Sequence, residues 1–225
     1  MSEETTADGT SRRRKRLKPE ERQAQILGAA EELFGHHGYW GTSLQDIANH
    51  CHFTVAGVLY HFESKEALLR ALLDSLDRAY INDATREGGD KTSTYRLGDP
   101  LEGVDLASIC RVLVLISAKD VSRTRLYSML ENESTDPRHP AHDFFLRREQ
   151  RLLDSYEVIV ARTVERPLSI ARMAMGLISG LRVQWLRDPE GLDILAMWDS
   201  MVEGIPLLRR DADRSGGDGS DPEQG

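Results

Sequence analysis

A small residue, an aromatic hydroxyl and an imidazole occur at Gly57, Tyr60 and His61, followed four residues on by the ammonium of Lys65. Hydroxyl and imidazole groups donate hydrogen bonds to phosphate oxygens, an ammonium neutralises them, and a position without a side chain admits close approach. Upstream, residues 12 to 18 read RRRKRLK, six cations without an acid. Cations at that density beside such a stretch are the electrostatic footprint of a surface that meets a polyanion. The formal charge of −8 over 225 residues would argue against nucleic acid only if charge were evenly spread. It is not: the stretch from Asp211 to Gly225 is acidic and Gly-rich.

Side chains of this kind need a scaffold that turns them outward. Leu44, Ile47 and Ala48, then Val55, Val58, Leu59 and Phe62, each follow the spacing of a helix burying one face, with a tight connection between the two patterns. The pair is predicted to be a helix-turn-helix. Burying Val55, Val58, Leu59 and Phe62 leaves Gly57, Tyr60 and His61 facing out. Thr42 or Ser43 caps the first helix and Thr54 the second, because a hydroxyl accepts from the orphan N–H groups of a helix start. Ser64 caps a third helix that carries Lys65 in its first turn.

From about Pro19 to Leu73 the chain resembles the DNA-binding domain of TetR-type (tetracycline-repressor-like) transcriptional regulators. The motifs are ILGAAEELFGHHGYWGTSLQDIA and LYHFESKEALL. They join a helix ending in Leu33-Phe34, a Gly38-Tyr39 turn, a Thr42-Ser43 cap, Ile47-Ala48 and Tyr60-His61-Phe62. Between the two helices the family usually carries Ala-Gly-Val, whereas this chain has Cys51-His52-Phe53. That turn needs a left-handed backbone, which His tolerates at some cost. On the resemblance and the helix geometry, Thr42, Ser43, Tyr60, His61 and Lys65 hold phosphates, and Gln45, Thr54, Val55 and Gly57 face base edges. Arg12, Arg13, Arg14, Lys15 and Arg16 reach the minor groove or the phosphates.

The fold class expected is all-α: a basic arm over residues 1–18 that does not order by itself, a helix-turn-helix domain over 19–64, a helical ligand-binding and dimerisation domain over 65–208, and a disordered acidic tail over 209–225. In the first helix Ile26, Leu27, Ala30, Leu33 and Phe34 face inward. Residues 86 to 100 are polar and Gly-containing, hence a loop. Leu106 to Ala118 is nearly all apolar, as a central helix would be. Ser134 to His142 is a proline-containing loop, and a long helix follows from about Ala141 to Val164.

The last two helices, opened by Pro167 and interrupted at Asp188-Pro189, are apolar on more than one face. In the family such a pair forms a four-helix bundle with its two-fold mate. The resemblance therefore implies a homodimer interface through Leu177, Gly180, Leu181, Gln184, Trp185, Leu195, Trp198, Met201, Val202 and Ile205, with Gly176 and Ser179 also letting helices approach. It further implies a small-molecule effector that shifts the helix starting at Lys65. Residues mixing polar tips with apolar bodies are the pocket candidates: Arg111, Ser117, Tyr127, Met129, Phe144, Phe145, Tyr156 and Met175. Two recognition helices then read successive major grooves of a palindromic operator, and repression is the family habit.

Other classes fit less well. Histidines cluster at His36-His37, at His50 and His52 around Cys51, and at His139 and His142, but none has recognisable metal-ligand spacing. No catalytic motif for acyl transfer, phosphate binding, dinucleotide binding or metalloprotease chemistry occurs, so neither an enzyme nor a cofactor is expected. A helical adaptor using its apolar C-terminal pair is the alternative. Cys51 and Cys110 belong to different elements, which excludes a disulfide framework, and no apolar run is long enough to cross a membrane. The cytoplasm is the expected compartment.

Overall fold

The computed structural model describes residues 18–87, 105–161 and 165–208. Arg12 to Arg16, residues 88–100 of the polar stretch and the acidic tail lie outside them. The described residues form only helices: α1 (Pro19–His37), α2 (Leu44–His50), α3 (Val55–His61), α4 (Lys65–Glu87), α5 (Leu106–Lys119), α6 (Val121–Glu133), α7 (His142–Val160), α8 (Pro167–Trp185) and α9 (Ile194–Glu203), with a 3-10 turn at Pro206–Leu208. Among them no helix is long and apolar enough to cross a membrane. The fold is all-α, a helix-turn-helix unit followed by a larger helical half.

α1 begins at Pro19, where a missing N–H costs nothing, and Lys18 N–H donates to the Glu21 carboxylate at 2.8 Å. Its buried face is Ile26, Ala29, Ala30 and Phe34. The chain leaves through Gly38 at φ 72°, whose N–H closes the helix on Phe34 O at 2.9 Å. α2 and α3 have seven residues each, too short to persist alone. They exist because Ile47, Ala48 and Val58, all fully buried, insert into the core formed with Phe34, Leu68 and Leu69. Leu59, expected inside, is 37% exposed. Val58 and Phe62 already occupy the inner side of so short a helix, and the next residue after Val58 is turned about 100° away.

α4 carries Leu68, Leu69, Leu72, Leu73 and Leu76 into a buried cluster that also holds Leu126, Tyr127 and Leu130 of α6, with Ala141 and Phe145. This core runs past residue 64, where the sequence suggested a domain boundary. α1 lies so close on α6 that a Cβ added at Gly35 would meet Leu126 Cβ at 3.4 Å. Beyond Leu76, α4 buries no further apolar residue, and Ile81 is exposed. Acids hold it there instead: Asp77 pairs with Arg148 at 3.2 Å, Asp83 with Arg123 at 2.9 Å, and Glu87 with Lys119.

A second buried cluster joins α5, α7, α8 and α9. It corrects part of the expected dimer surface, because Leu181, Trp185, Trp198 and Val202 are at most 6% exposed and pack inside their own chain. Large apolar side chains on α8 and α9 are consumed by the α5 and α7 faces they cover. Leu177, Leu195, Met201 and Ile205 are half-buried against the same cluster, while Gly180 and Gln184 remain exposed. α7 is described as helix to Val160, and residues 162–164 lie outside the described set.

At Gly38 a side chain meets two obstacles, the positive φ and the Glu133 carboxylate, whose Oε1 would lie 2.3 Å from an added Cβ. Gly38→Ala is expected to cost about 1–3 kcal/mol, read as a lower urea midpoint. Gly28→Ala, in open space on exposed α1, is expected to stabilise by up to about 1 kcal/mol.

Candidate nucleic-acid interface

Ser43, not Thr42, caps α2. Asp46 N–H donates to Ser43 Oγ at 3.1 Å, while Ser43 N–H and Oγ–H donate to the Asp46 carboxylate at 2.8 and 2.6 Å. Those bonds, the Ser43 hydroxyl's first, hold the Asp46 carboxyl below its ordinary pKa. Thr42 is 2% exposed, and its hydroxyl is directed at the carbonyls of Gly38 and Leu33, at 2.9 and 3.2 Å. The carbonyls at the end of α1 need donors, and Thr42 supplies one. It is therefore a brace within the turn and not an outward phosphate ligand.

The turn between α2 and α3 bends at His52, φ 58°, the left-handed backbone expected there. Phe53 N–H then returns to Ala48 O at 2.8 Å. α3 starts on Thr54, whose Oγ1 accepts from Gly57 N–H at 3.0 Å. Gly57 and Val55 are half-buried on this helix. Tyr60 is 85% exposed, with the His61 ring 5.2 Å away in an edge-on contact. Gln45 is exposed on α2 and its amide donates to Asn49 at 2.8 Å. Ser43, Gln45, Thr54, Tyr60 and His61 thus all lie on the reading pair, with polar atoms on or near its surface. The exposed Leu59 joins them, which its apolar spacing concealed.

Lys65 is turned inward. Its Nζ donates to Tyr39 O at 2.6 Å and lies 4.0 Å from the Tyr39 ring centroid, and burial lowers its pKa. The ammonium is engaged on the turn beneath the readers and keeps only part of its donor capacity. Arg22, which the sequence offered no reason to single out, places its guanidinium 5.9 Å from the Phe53 ring, beside the reading turn.

The readers rest on a polar junction with the second half. Tyr39 N–H donates to Glu133 at 2.7 Å, Tyr39 O–H donates to Glu66 at 3.1 Å, and burial raises the Tyr39 pKa. The His139 ring packs edge-on against Tyr39 and Trp40, at 5.1 and 5.6 Å. Its Nδ1 accepts from Ala141 N–H at 3.1 Å, and its Nε2 lies 3.7 Å from Glu133. A residue that sequence offered as a poor metal ligand is instead a buried prop.

Within the second half, a cavity of about 400 Å³ lies between α6, α7 and α8. Of the residues named from sequence, Phe145 and Met175 line it. The other candidates do not. Arg111 is bound to Asp199 of α9 through two bonds of 2.7 and 2.9 Å, Ser117 donates to Leu113 O at 3.0 Å, and Met129 is on the surface. Phe144 packs on the first core, Tyr156 is buried in the second, and Tyr127 lies behind Phe145 with ring centroids 5.2 Å apart. Arg148, unnamed from sequence because an arginine in a charged run looks like helix surface, reaches the cavity wall.

A helix-turn-helix with exposed polar readers, fused to a helical half, defines a DNA-binding transcriptional regulator. The sequence profile of bacterial regulatory proteins of the tetR family matches residues 26–72. The HTH-type transcriptional regulator TtgR of Pseudomonas putida is 27% identical over 212 residues, covering 88% of this chain and 96% of that protein. The crystal structure of NalD, the secondary repressor of the MexAB-OprM multidrug efflux pump in Pseudomonas aeruginosa, superposes with a TM-score of 0.62 at 28% identity, covering 84% of this chain and 94% of NalD. A SmeT–triclosan complex shares the fold at 18% identity and a TM-score of 0.60, covering 91% of this chain and all of that one (100%). The tetR-family match thus covers the reading half, and the likeness to TtgR and NalD extends over most of the chain.

Burial pushes the His139 pKa down, so the unfolded chain binds its proton more readily than the folded one. Stability is therefore lost as pH falls through the ordinary histidine value of about 6.5. The thermal midpoint is expected to fall between about pH 7 and 5.5. His139→Asn, which keeps an acceptor for Ala141 N–H, is expected to flatten that slope while lowering stability at neutral pH.

Proposed function

We propose that this regulator is a repressor that binds a palindromic operator as a homodimer and is released by a small molecule. The observation that carries the reading is exposed Tyr60 beside half-buried His61 on α3, joined through one buried core to a second half that contains a cavity. Tyr60, His61 and the Ser43 region hold phosphates, Gln45, Thr54, Val55 and Gly57 approach base edges, and the arm from Arg12 to Arg16 supplies the sequence-independent attraction. Lys65 contributes charge near that backbone once DNA is bound. NalD, a repressor by its own description, supports the sign of regulation.

Dimerisation is supported by an exposed face of α8. A Cβ added at Gly176 or Gly180 would meet nothing within 4 Å. Each glycine costs its helix about 1 kcal/mol, and nothing within the chain requires either of them. Close approach of a second copy's helix would use them, and exposed Val183 and Gln184 extend the same face. This narrower surface replaces the tryptophan-rich one inferred from sequence. The cytoplasm, where the operator resides, is the place of action.

Selection of bound sequences from random duplex is expected to return a palindrome with half-sites about 34 Å apart or a multiple of it. A non-symmetric consensus, or no enrichment, would sink the dimeric reading. Tyr60→Ala is expected to weaken binding about tenfold on all sequences without changing the melting temperature. Replacing Arg12, Arg13, Arg14, Lys15 and Arg16 by Ser is expected to flatten the dependence of log affinity on log salt by about 0.9 per lost phosphate contact. Gly180→Arg is expected to sediment as a folded monomer and to lose operator binding.

A further inference from the structure

We propose that the effector is an aromatic or otherwise apolar molecule with an anionic head group, and that it signals by drawing the Arg148 guanidinium off Asp77 of α4. The proposal rests on the reading that the second half takes a small molecule, and it adds the chemistry of that molecule and the contact it breaks.

Arg148 is the side chain through which the cavity meets α4. It lines the cavity, is only 9% exposed, and its Nε donates to Asp77 at 3.2 Å. The guanidinium carbon also lies 5.1 Å from the Tyr80 ring on α4 and 4.8 Å from the Tyr127 ring on α6. A guanidinium offers five N–H donors, and this one has a single acidic partner. Asp77 is in turn shared with Arg151, whose NH2 is 3.7 Å from its other oxygen. Positive charge thus exceeds negative at the inner end.

The surrounding polar atoms ask for the same kind of ligand. Behind the cavity wall, Tyr127 O–H and Arg182 Nε–H are buried without a hydrogen-bond partner. Burial raises the Tyr127 pKa, so its hydroxyl stays protonated and able to donate. Arg182 reaches Ser179, a cavity-wall residue, at 3.4 Å, and its charge is matched by Glu131 at 3.5 Å. Glu149 at the cavity wall is matched by Arg172, both well exposed, at 3.5 Å. Those acids are committed to their own cations, whereas Arg148 shares its one carboxylate, Asp77, with Arg151. An anionic acceptor in the cavity meets the Arg148 guanidinium, and Phe145, Leu146, Leu153 and Met175 cover the apolar remainder. A volume of about 400 Å³ suits a two-ring molecule.

The coupling follows from how α4 is held. Past Leu76 it is fastened by ion pairs with little apolar burial, and Arg148–Asp77 is the most buried of them by its arginine. An anion that takes the guanidinium leaves Asp77 to Arg151 alone and loosens α4 from α7. Because α4 shares its first turns with the core of the readers, that loosening reaches α2 and α3.

The test uses the full-length protein and three matched probes: 1-naphthoate, 1-naphthamide and 1-naphthylmethylammonium. Calorimetry is expected to show naphthoate binding about tenfold more tightly than either of the others. Arg148→Met is expected to abolish that preference and leave amide affinity unchanged. Equal affinities, or preference for the ammonium, overturn the head-group assignment and leave the small-molecule reading standing. Binding of none of the three also overturns it, and a melting-temperature screen against neutral and cationic compounds then decides the broader reading separately. For the coupling, Asp77→Asn without any probe is expected to lower affinity for the selected duplex about tenfold at unchanged helicity. Wild-type affinity would overturn it. The double variant Arg148→Met/Asp77→Leu guards against misfolding: it is expected to bind duplex and ignore naphthoate, and a retained naphthoate response contradicts the mechanism.

Discussion

The close contact of α1 with α6 is the constraint on which the rest of the molecule depends. A Cβ added at Gly35 would already touch Leu126, and Leu126 and Leu130 complete the core begun by Ile26, Ala30 and Phe34. Close-packed interiors are stiff and do not deform continuously. α2 and α3 have too little surface of their own to be stable and take their position from this core. Where the reading surface points is therefore decided by the packing of the second half against the first.

α4 divides along its length by the physics that holds it. Its first part is fixed by five buried leucines, which tolerate no small displacement without leaving voids. Its second part is fixed by pairs between Asp77, Asp83, Glu87 and cations of α5, α6 and α7, of which several groups retain contact with water. Partly exposed pairs contribute at most about 1 kcal/mol each. One helix is thus held by apolar packing at one end and by ion pairs at the other.

Several side chains with chemical potential serve the junction and not the surface. Thr42 satisfies carbonyls at the end of α1, Lys65 sits over Tyr39, and His139 fills the space between Tyr39, Trp40 and Glu133. The physical reason is common to all three. Two helix ends, at His37 and at Glu133, meet here with unsatisfied backbone groups, and polar side chains must accompany them into the interior. Glu133 answers two demands at once, accepting from Tyr39 N–H and forbidding a side chain at Gly38.

Local signals made much of the molecule legible in the sequence. Helical periodicity located the helices, hydroxyl caps at Ser43, Thr54 and Ser64 marked starts, and the left-handed turn at His52 followed from the position it occupies, because each depends on residues a few positions apart. The exposure of Tyr60 followed from the same period, while His61 is half-buried. What sequence could not decide was which of several apolar faces met which partner. Trp185 and Trp198 are as apolar as an interface residue and are buried in their own chain, Leu59 obeys a buried spacing and is exposed, and Arg148 sits in a charged run yet reaches a cavity wall. Those outcomes turn on contacts between residues far apart in the chain, such as Arg148 with Asp77 or Tyr39 with Glu133. Period and composition specify a face, and only the packing of whole helices specifies what that face touches.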